Sequence, residues 1–309
     1  MRDAFINELL AQARLDPAIF LVVGDLGYGV IDKFAGDLPN QFLNAGVAEQ
    51  SMVSAAAGLA STGYRVFVYS IANFPTIRAL EQIRNDVCYH GLDVTIVSVG
   101  AGFSYGTLGY THHAVEDISI LRALPNLRII SPADRWEARA AVHESLRYPG
   151  PTYIRLGKNE ESDLHVDRPP SLVEPIQLRE GSDLTIAGVG SIVDNCVQAA
   201  RLLESKGLST EVLSCPTVKP LAESLFTRAF GKQLFTVEEH VLAGGFGSAV
   251  MEGASLHGVP LAVHRIGLTE GLLTEMGSTA FLQSAHGLDA TGISAIIQEQ
   301  LAARDVKRP

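Results

Sequence analysis

Two segments of the 309-residue chain hold side chains whose types and spacing could do chemistry. The first is Asn44-Ala45-Gly46-Val47-Ala48-Glu49-Gln50, which runs into a stretch rich in Ser, Ala and Gly that ends at Gly63. A helix opening near Gly46 puts Glu49 in its first turn, where a carboxylate complements the helix dipole. Small side chains on that helix let neighbouring backbones approach closely, so it belongs at a crowded junction. Two roles are open to Glu49. It can close a reciprocal cap, with Gly46 at the N-cap and Glu49 at the third helical position. Or it can be a buried carboxyl that hydrogen-bonds a cofactor nitrogen and passes a proton.

The second segment runs from Gly100 to Asp117. It holds Gly100, Gly102, Gly106 and Gly109, then His112-His113, then Glu116-Asp117. It follows the apolar run VTIVSV (94–99). α/β sheets place their ligands beyond the carboxyl ends of such strands, and function concentrates on loops held by a rigid scaffold. The alternative is a connection in which one His caps the next helix. A metal site has less support, because no Cys or carboxylate cluster accompanies the histidines at ligand spacing. Elsewhere, Gly188-Val189-Gly190 follows a strand and opens a helix, but Val193 stands where a dinucleotide fingerprint needs Gly or Ala. Gly244-Gly245-Phe246-Gly247, after Val237-Glu238-Glu239-His240, is a second strand-to-helix junction whose default role is tight packing. Phosphate-loop, zincin and nucleophile-elbow motifs do not occur.

The elements that must position these segments alternate along the chain. Apolar runs at 19–23, 66–69, 94–99, 127–130 and 152–156 read as buried strands. Helical patterns at 52–60, 76–87, 115–123 and 134–146 separate them, which predicts a parallel sheet covered on both faces. The alternation restarts with strands at 184–189, 210–215, 234–237 and 261–266 and helices near 192–205, 221–230, 247–257 and 293–303. Between the two blocks the chain is charged and carries Pro169, Pro170 and Pro175, so it reads as a linker. The expectation is two α/β domains, 1–160 and 179–309, joined by a linker at 161–178.

Composition narrows the class. The chain is 47% hydrophobic and 19% charged with a net charge of −10, enough for a sizeable core. Acidity without clustered Lys and Arg argues against a nucleic-acid partner. No apolar run approaches the roughly 20 residues of a membrane helix. The three cysteines have no metal or redox spacing, which fits a reducing compartment. The N-terminal stretch carries charges where a signal peptide has its apolar core. A cytoplasmic globular protein is expected.

Taken in order, these segments resemble the transketolase family of thiamine-diphosphate enzymes over essentially the whole chain. The likeness rests on Gly24-Asp25-Leu26, Asn44 to Gln50, Gly58-Leu-Ala, Phe67-Val-Tyr-Ser70, Thr111-His112 with Glu116, Leu121-Arg-Ala-Leu-Pro-Asn126, Ser131-Pro-Ala-Asp134 and Val237-Glu-Glu239. The resemblance implies a pyrimidine-binding parallel-sheet domain followed by a smaller α/β transketolase C-terminal domain. The family's diphosphate-binding domain, with its GDG motif, has no counterpart here. The resemblance therefore implies the C-terminal, or B, subunit of a split transketolase. A partner N-terminal subunit would hold the diphosphate and Mg²⁺, in an α2β2 assembly acting on small sugars or sugar phosphates.

The resemblance also assigns roles. Glu49 matches the acid that faces the pyrimidine nitrogen and drives the 4′-amino group to activate the thiazolium carbon. Tyr69 and Phe74 are the candidates for stacking on the pyrimidine, and Asp25 sits near the cofactor. His112 matches a histidine that contacts substrate oxygens. Lys158 falls near a phosphate-holding Arg, and Arg2 near another substrate-facing Arg. His113 stands where the family has Gln and Leu108 where it has Asp, which places the usual sugar-phosphate specificity in question. This chain's own metal set is expected to be none. The competing functions are the β subunit of a 2-oxoacid dehydrogenase, a deoxyxylulose-phosphate-synthase-like condensation, a non-catalytic partner subunit and an NAD-dependent oxidoreductase.

Overall fold

A computed structural model describes residues 1–158, 161–269 and 271–305. Its strands are β1 (Ile19–Val23), β2 (Phe42–Asn44), β3 (Arg65–Ile71), β4 (Val94–Val99), β5 (Arg128–Ile130), β6 (Thr152–Leu156), β7 (Ile176–Arg179), β8 (Leu184–Val189), β9 (Thr210–Ser214), β10 (Thr217–Lys219), β11 (Gln233–Val241) and β12 (Ala262–Leu268). They form two sheets, ordered β10-β5-β6-β4-β3-β1-β2 and β12-β11-β8-β9-β7.

The first sheet is parallel except for β10. Its central strands are apolar at nearly every position because both faces are covered. Alternate residues serve opposite sides: Val66 and Val68 join one core, and Phe67 and Tyr69 the other. Helices Arg2–Ala13 and Arg135–Arg147 cover the second of these faces. The second sheet is parallel except at its β7 edge. Among the described residues, no helix is long and apolar enough to cross a membrane.

The two halves are tied more closely than the sequence pattern implies. Strand β10, from the second half, completes the first sheet by pairing antiparallel with β5. Within the stretch expected as a linker, residues 176–178 belong to β7. Leu172 of the same stretch is fully buried in the first domain's core. The Leu164 and His165 N–H groups donate to Asp134, which also caps helix Arg135–Arg147 through the Trp136 and Glu137 N–H groups.

Buried carboxyls line this junction. Glu137 accepts from Ser214 Oγ of β9, and Glu239 of β11 accepts from the Phe103 N–H of the long loop after β4. Gly102 has a positive φ and no Cβ, which lets that loop lie against the Glu239 carboxyl. Glu238 accepts from the N–H groups of Phe246 and Gly247, so the Gly-rich junction at 244–247 is filled by the chain's own carboxyl. At Gly190 the turn after β8 packs on Ser131, so this glycine too serves domain packing.

Burial pushes Glu137, Glu238 and Glu239 up to about 7. The folded chain therefore holds protons on them up to about pH 7, whereas unfolded they release them near 4.5. Their contribution to stability falls as pH rises through that window and is gone above it. His240, which burial lowers to about 4, acts oppositely between 4 and 6.5. A comparison at one position isolates the effect. Glu239→Gln is expected to gain roughly 1–3 kcal/mol over the wild type between pH 5 and pH 8, read from urea midpoints. A pH-independent difference would contradict the protonated state.

Candidate functional site

The carboxyl ends of β6, β4, β3, β1 and β2 lie side by side along one edge of the first sheet. The segments that follow them carry most of the residues singled out in the sequence. Helix Glu49–Ser61 follows β2 and opens directly at Glu49, with Ala48 at its N-cap and no side-chain cap. The Gly46 N–H donates to Asn44 Oδ1 at 3.0 Å. The reciprocal cap expected between Gly46 and Glu49 is therefore not formed, because the helix starts later than the small-residue pattern predicts. The Glu49 side chain is 2% exposed, and its Oε2 accepts from Arg78 Nη1 at 2.7 Å.

From Glu49 a chain of contacts runs along the edge. The Arg78 guanidinium lies 4.7 Å from the centre of the Phe74 ring. Phe74 meets His112 edge-on at 5.3 Å, and His112 meets Tyr105 at 6.3 Å. Lys158 Nζ lies 5.4 Å from the Tyr105 ring. The Arg2 side chain hydrogen-bonds Tyr105, and the Arg2 backbone N–H donates to the Lys158 carbonyl. Glu49, Phe74, His112, Lys158 and Arg2, predicted from separate parts of the sequence, are thus brought onto one edge. Partial burial and the adjacent His113 lower the His112 pKa, which keeps its imidazole neutral near pH 7. Its Nδ1 is 2.9 Å from Thr111 Oγ1.

Asp25 lies on the same edge after β1, in a left-handed backbone conformation. Its carboxylate accepts from Asn44 Nδ2 and the Tyr28 hydroxyl, each at 3.0 Å, and these bonds hold its pKa below the usual range. Two candidates lie elsewhere. Tyr69 is buried with Phe67 in the core beneath the first helix, which raises its hydroxyl pKa. His113 is fully buried against Phe103, with Nε2 3.3 Å from the Gly106 carbonyl. The structure therefore brings Phe74, not Tyr69, beside Glu49, and it turns His113 inward from the edge that His112 lines.

Sequence reasoning passes over Arg78 and Tyr105. Arg78 stands four residues after Phe74, the spacing of neighbours on a helical turn. Tyr105 is visible only as one member of the Gly-rich loop. Lys158 also borders a polar cleft of about 210 Å³ between the two halves, lined by Ser104, Ser191, Asp194, Asn195 and Gln283. Among the described residues, no group of three His, Cys, Asp or Glu side chains is placed to hold a metal.

Residues 1–161 match the transketolase pyrimidine-binding domain, and residues 175–293 match the transketolase C-terminal domain. The chain belongs to the transketolase family. It is 36% identical over 297 residues to one of the two apulose-4-phosphate transketolase chains of Phocaeicola vulgatus, the B subunit, covering 94% of each chain. It is 33% identical to a 6-deoxy-6-sulfo-D-fructose transketolase subunit of a Clostridium species, covering 95% of this chain and 92% of that one. Among solved structures it is similar to a split-gene transketolase, an inactive β4 tetramer, with 32% identity, a TM-score of 0.86 and 97% of each chain covered. The relatives that it matches end to end in this way are thus transketolase subunits.

Proposed function

We propose that this chain is the B subunit of a split, thiamine-diphosphate-dependent transketolase that moves a two-carbon ketol unit from a ketose to an aldose. The observation that carries the proposal is the buried Glu49 carboxyl, beside the Phe74 ring and His112 at an open sheet edge. A carboxyl and a half-buried aromatic ring on one edge fit a flat heterocycle that both stacks and hydrogen-bonds. When bound, thiamine diphosphate supplies the carbon nucleophile that breaks and re-forms the carbon–carbon bond. Glu49 would present a carboxyl oxygen to the pyrimidine nitrogen and hold the proton there. Phe74 would stack on the ring, with Tyr69 supporting it from the core. The neutral His112 would accept or donate at a substrate oxygen, positioned from behind by His113.

Lys158 and Arg2 would meet an anionic group at the far end of the sugar. Lysine does so as a point charge, without the guanidinium fork. Asp25 would lie at the margin of the cofactor. Mg²⁺ and the diphosphate would belong to a partner carrying the family's diphosphate-binding domain, in an α2β2 assembly. Exposed apolar side chains around Glu49, including Tyr28 (76%) and Val47 (73%), support burial of this edge by a partner. Three free, buried thiols support a cytoplasmic setting.

The test is reconstitution. Alone, the chain is expected to show no ketol transfer and no tight cofactor binding. With a diphosphate-domain partner it is expected to transfer glycolaldehyde units. Donors bearing phosphate, sulfonate or neither then sort the substrate. Lys158→Met is expected to raise KM for an anionic donor about tenfold, with less effect on a neutral one. Activity of the chain alone, or lipoyl acylation by the pair, would overturn the proposal.

A further inference from the structure

The most telling feature of the edge is that Glu49 is not bare. Arg78 contacts both groups to which the proposed function assigns the pyrimidine. Its Nη1 is 2.7 Å from Glu49 Oε2, and its guanidinium carbon is 4.7 Å from the Phe74 ring centre. A guanidinium is flat, delocalised and rich in N–H donors. It stacks on a ring and hydrogen-bonds a carboxylate at the same time, as an aminopyrimidine would. The side chain is 47% exposed while Glu49 is 2% exposed, so Arg78 reaches in from solvent to close the seat. Its backbone lies in the short helical stretch after β3, one turn beyond Phe74. Rotation of the side chain alone would open the seat, with no movement of the fold.

We infer that Arg78 is a self-occupant of the pyrimidine seat. It holds the Glu49 carboxyl and the Phe74 face until the cofactor displaces it. This rests on the transketolase reading and adds a loading step to it. The pair is partly exposed and therefore reversible, and its stacking on Phe74 adds a modest amount. A seat that is open only part of the time binds with an affinity reduced by that open fraction. Removing the occupant should therefore tighten binding at the pyrimidine end. The protection it gives is also clear: without Arg78, a buried carboxyl would face the partner interface unpaired whenever the cofactor is absent.

The experiment uses the chain reconstituted with its partner and a phosphate-free probe, 4-amino-5-hydroxymethyl-2-methylpyrimidine, titrated calorimetrically. Arg78→Gln is expected to bind the probe about five- to thirtyfold more tightly than the wild type. Arg78→Lys, which keeps the charge, is expected to return binding most of the way to wild type. Raising salt from about 50 to about 500 mM is expected to strengthen probe binding by the wild type and leave Arg78→Gln unchanged, because screening weakens only the occupant's ion pair. Equal or weaker binding by Arg78→Gln, with thiamine diphosphate still bound by both proteins, overturns the self-occupant alone. Failure of both proteins to bind either the probe or thiamine diphosphate overturns the transketolase reading and this inference with it.

Discussion

Glu49→Gln in the reconstituted enzyme is expected to lower kcat by about 10²–10⁴-fold, with KM for the sugar changed little. Glutamine keeps the length and shape of the side chain and can still hydrogen-bond a ring nitrogen, but it cannot pass a proton. The loss therefore falls on the chemical step. The fold gives little reason for collapse. Glu49 caps nothing, since the helix opens at it without a side-chain cap. Its ion-pair partner, Arg78, is about half exposed, and such pairs contribute roughly 0–1 kcal/mol. The melting temperature of the chain should move by no more than about 3 °C. Near-wild-type turnover would remove Glu49 from the catalytic role. A large fall in melting temperature together with activity would return it to a purely structural one.

The main architecture was legible because burial on both faces leaves a strong mark on a strand. IFLVV, VTIVSV and LTIAGV allow no other placement than the middle of a covered sheet. What escaped was short or polar. Strands β2 and β10 are three residues each, too brief for any periodicity. β7 hides in the charged stretch that reads as a linker, because an antiparallel edge strand needs little apolar content. The apolar run of β11 stops at Val237, before Glu-Glu-His, yet the strand continues to Val241. Those polar residues are buried because their partners come from elsewhere: the helix N–H groups for Glu238, the Phe103 N–H for Glu239. No local pattern can announce a partner that lies more than a hundred residues away.

The site follows the same logic. The positions of Glu49, His112, Lys158 and Asp25 after successive strands were readable, since the ends of parallel strands share an edge. Which aromatic lies beside Glu49 was not readable, because Tyr69 and Phe74 differ only in their direction from the backbone. Tyr69 is still within the strand and alternates into the core, whereas Phe74 lies past its end. His112 and His113 split in the same way, one at the edge and one inside.

The firmest consequence of the structure for stability concerns a pair far from the cofactor seat. Asp117 and Arg155 are 0% and 2% exposed and meet at 2.9 Å. The Tyr153 hydroxyl donates to the same Asp117 oxygen at 2.5 Å. Arg155 Nη2 donates on to the carbonyls of Ala114 and Glu239, so one guanidinium fastens the His112 loop to β11 of the second domain. Its positive charge has no solvent to fall back on. His240 nearby is kept neutral by burial and offers Arg155 nothing in exchange. Asp117→Asn is therefore expected to cost about 3–5 kcal/mol in urea unfolding, because it leaves a buried cation without its counter-charge. Combining it with Arg155→Met should recover a large part of that loss, since removing both charges removes the desolvation problem as well. If the double variant is as unstable as the sum of the singles, the pair is not the source of the loss. The double variant should still give lower kcat than its stability implies, because the two carbonyl bonds that fix the loop behind His112 go with the guanidinium. Full activity in a refolded double variant would show that the loop holds His112 without Arg155.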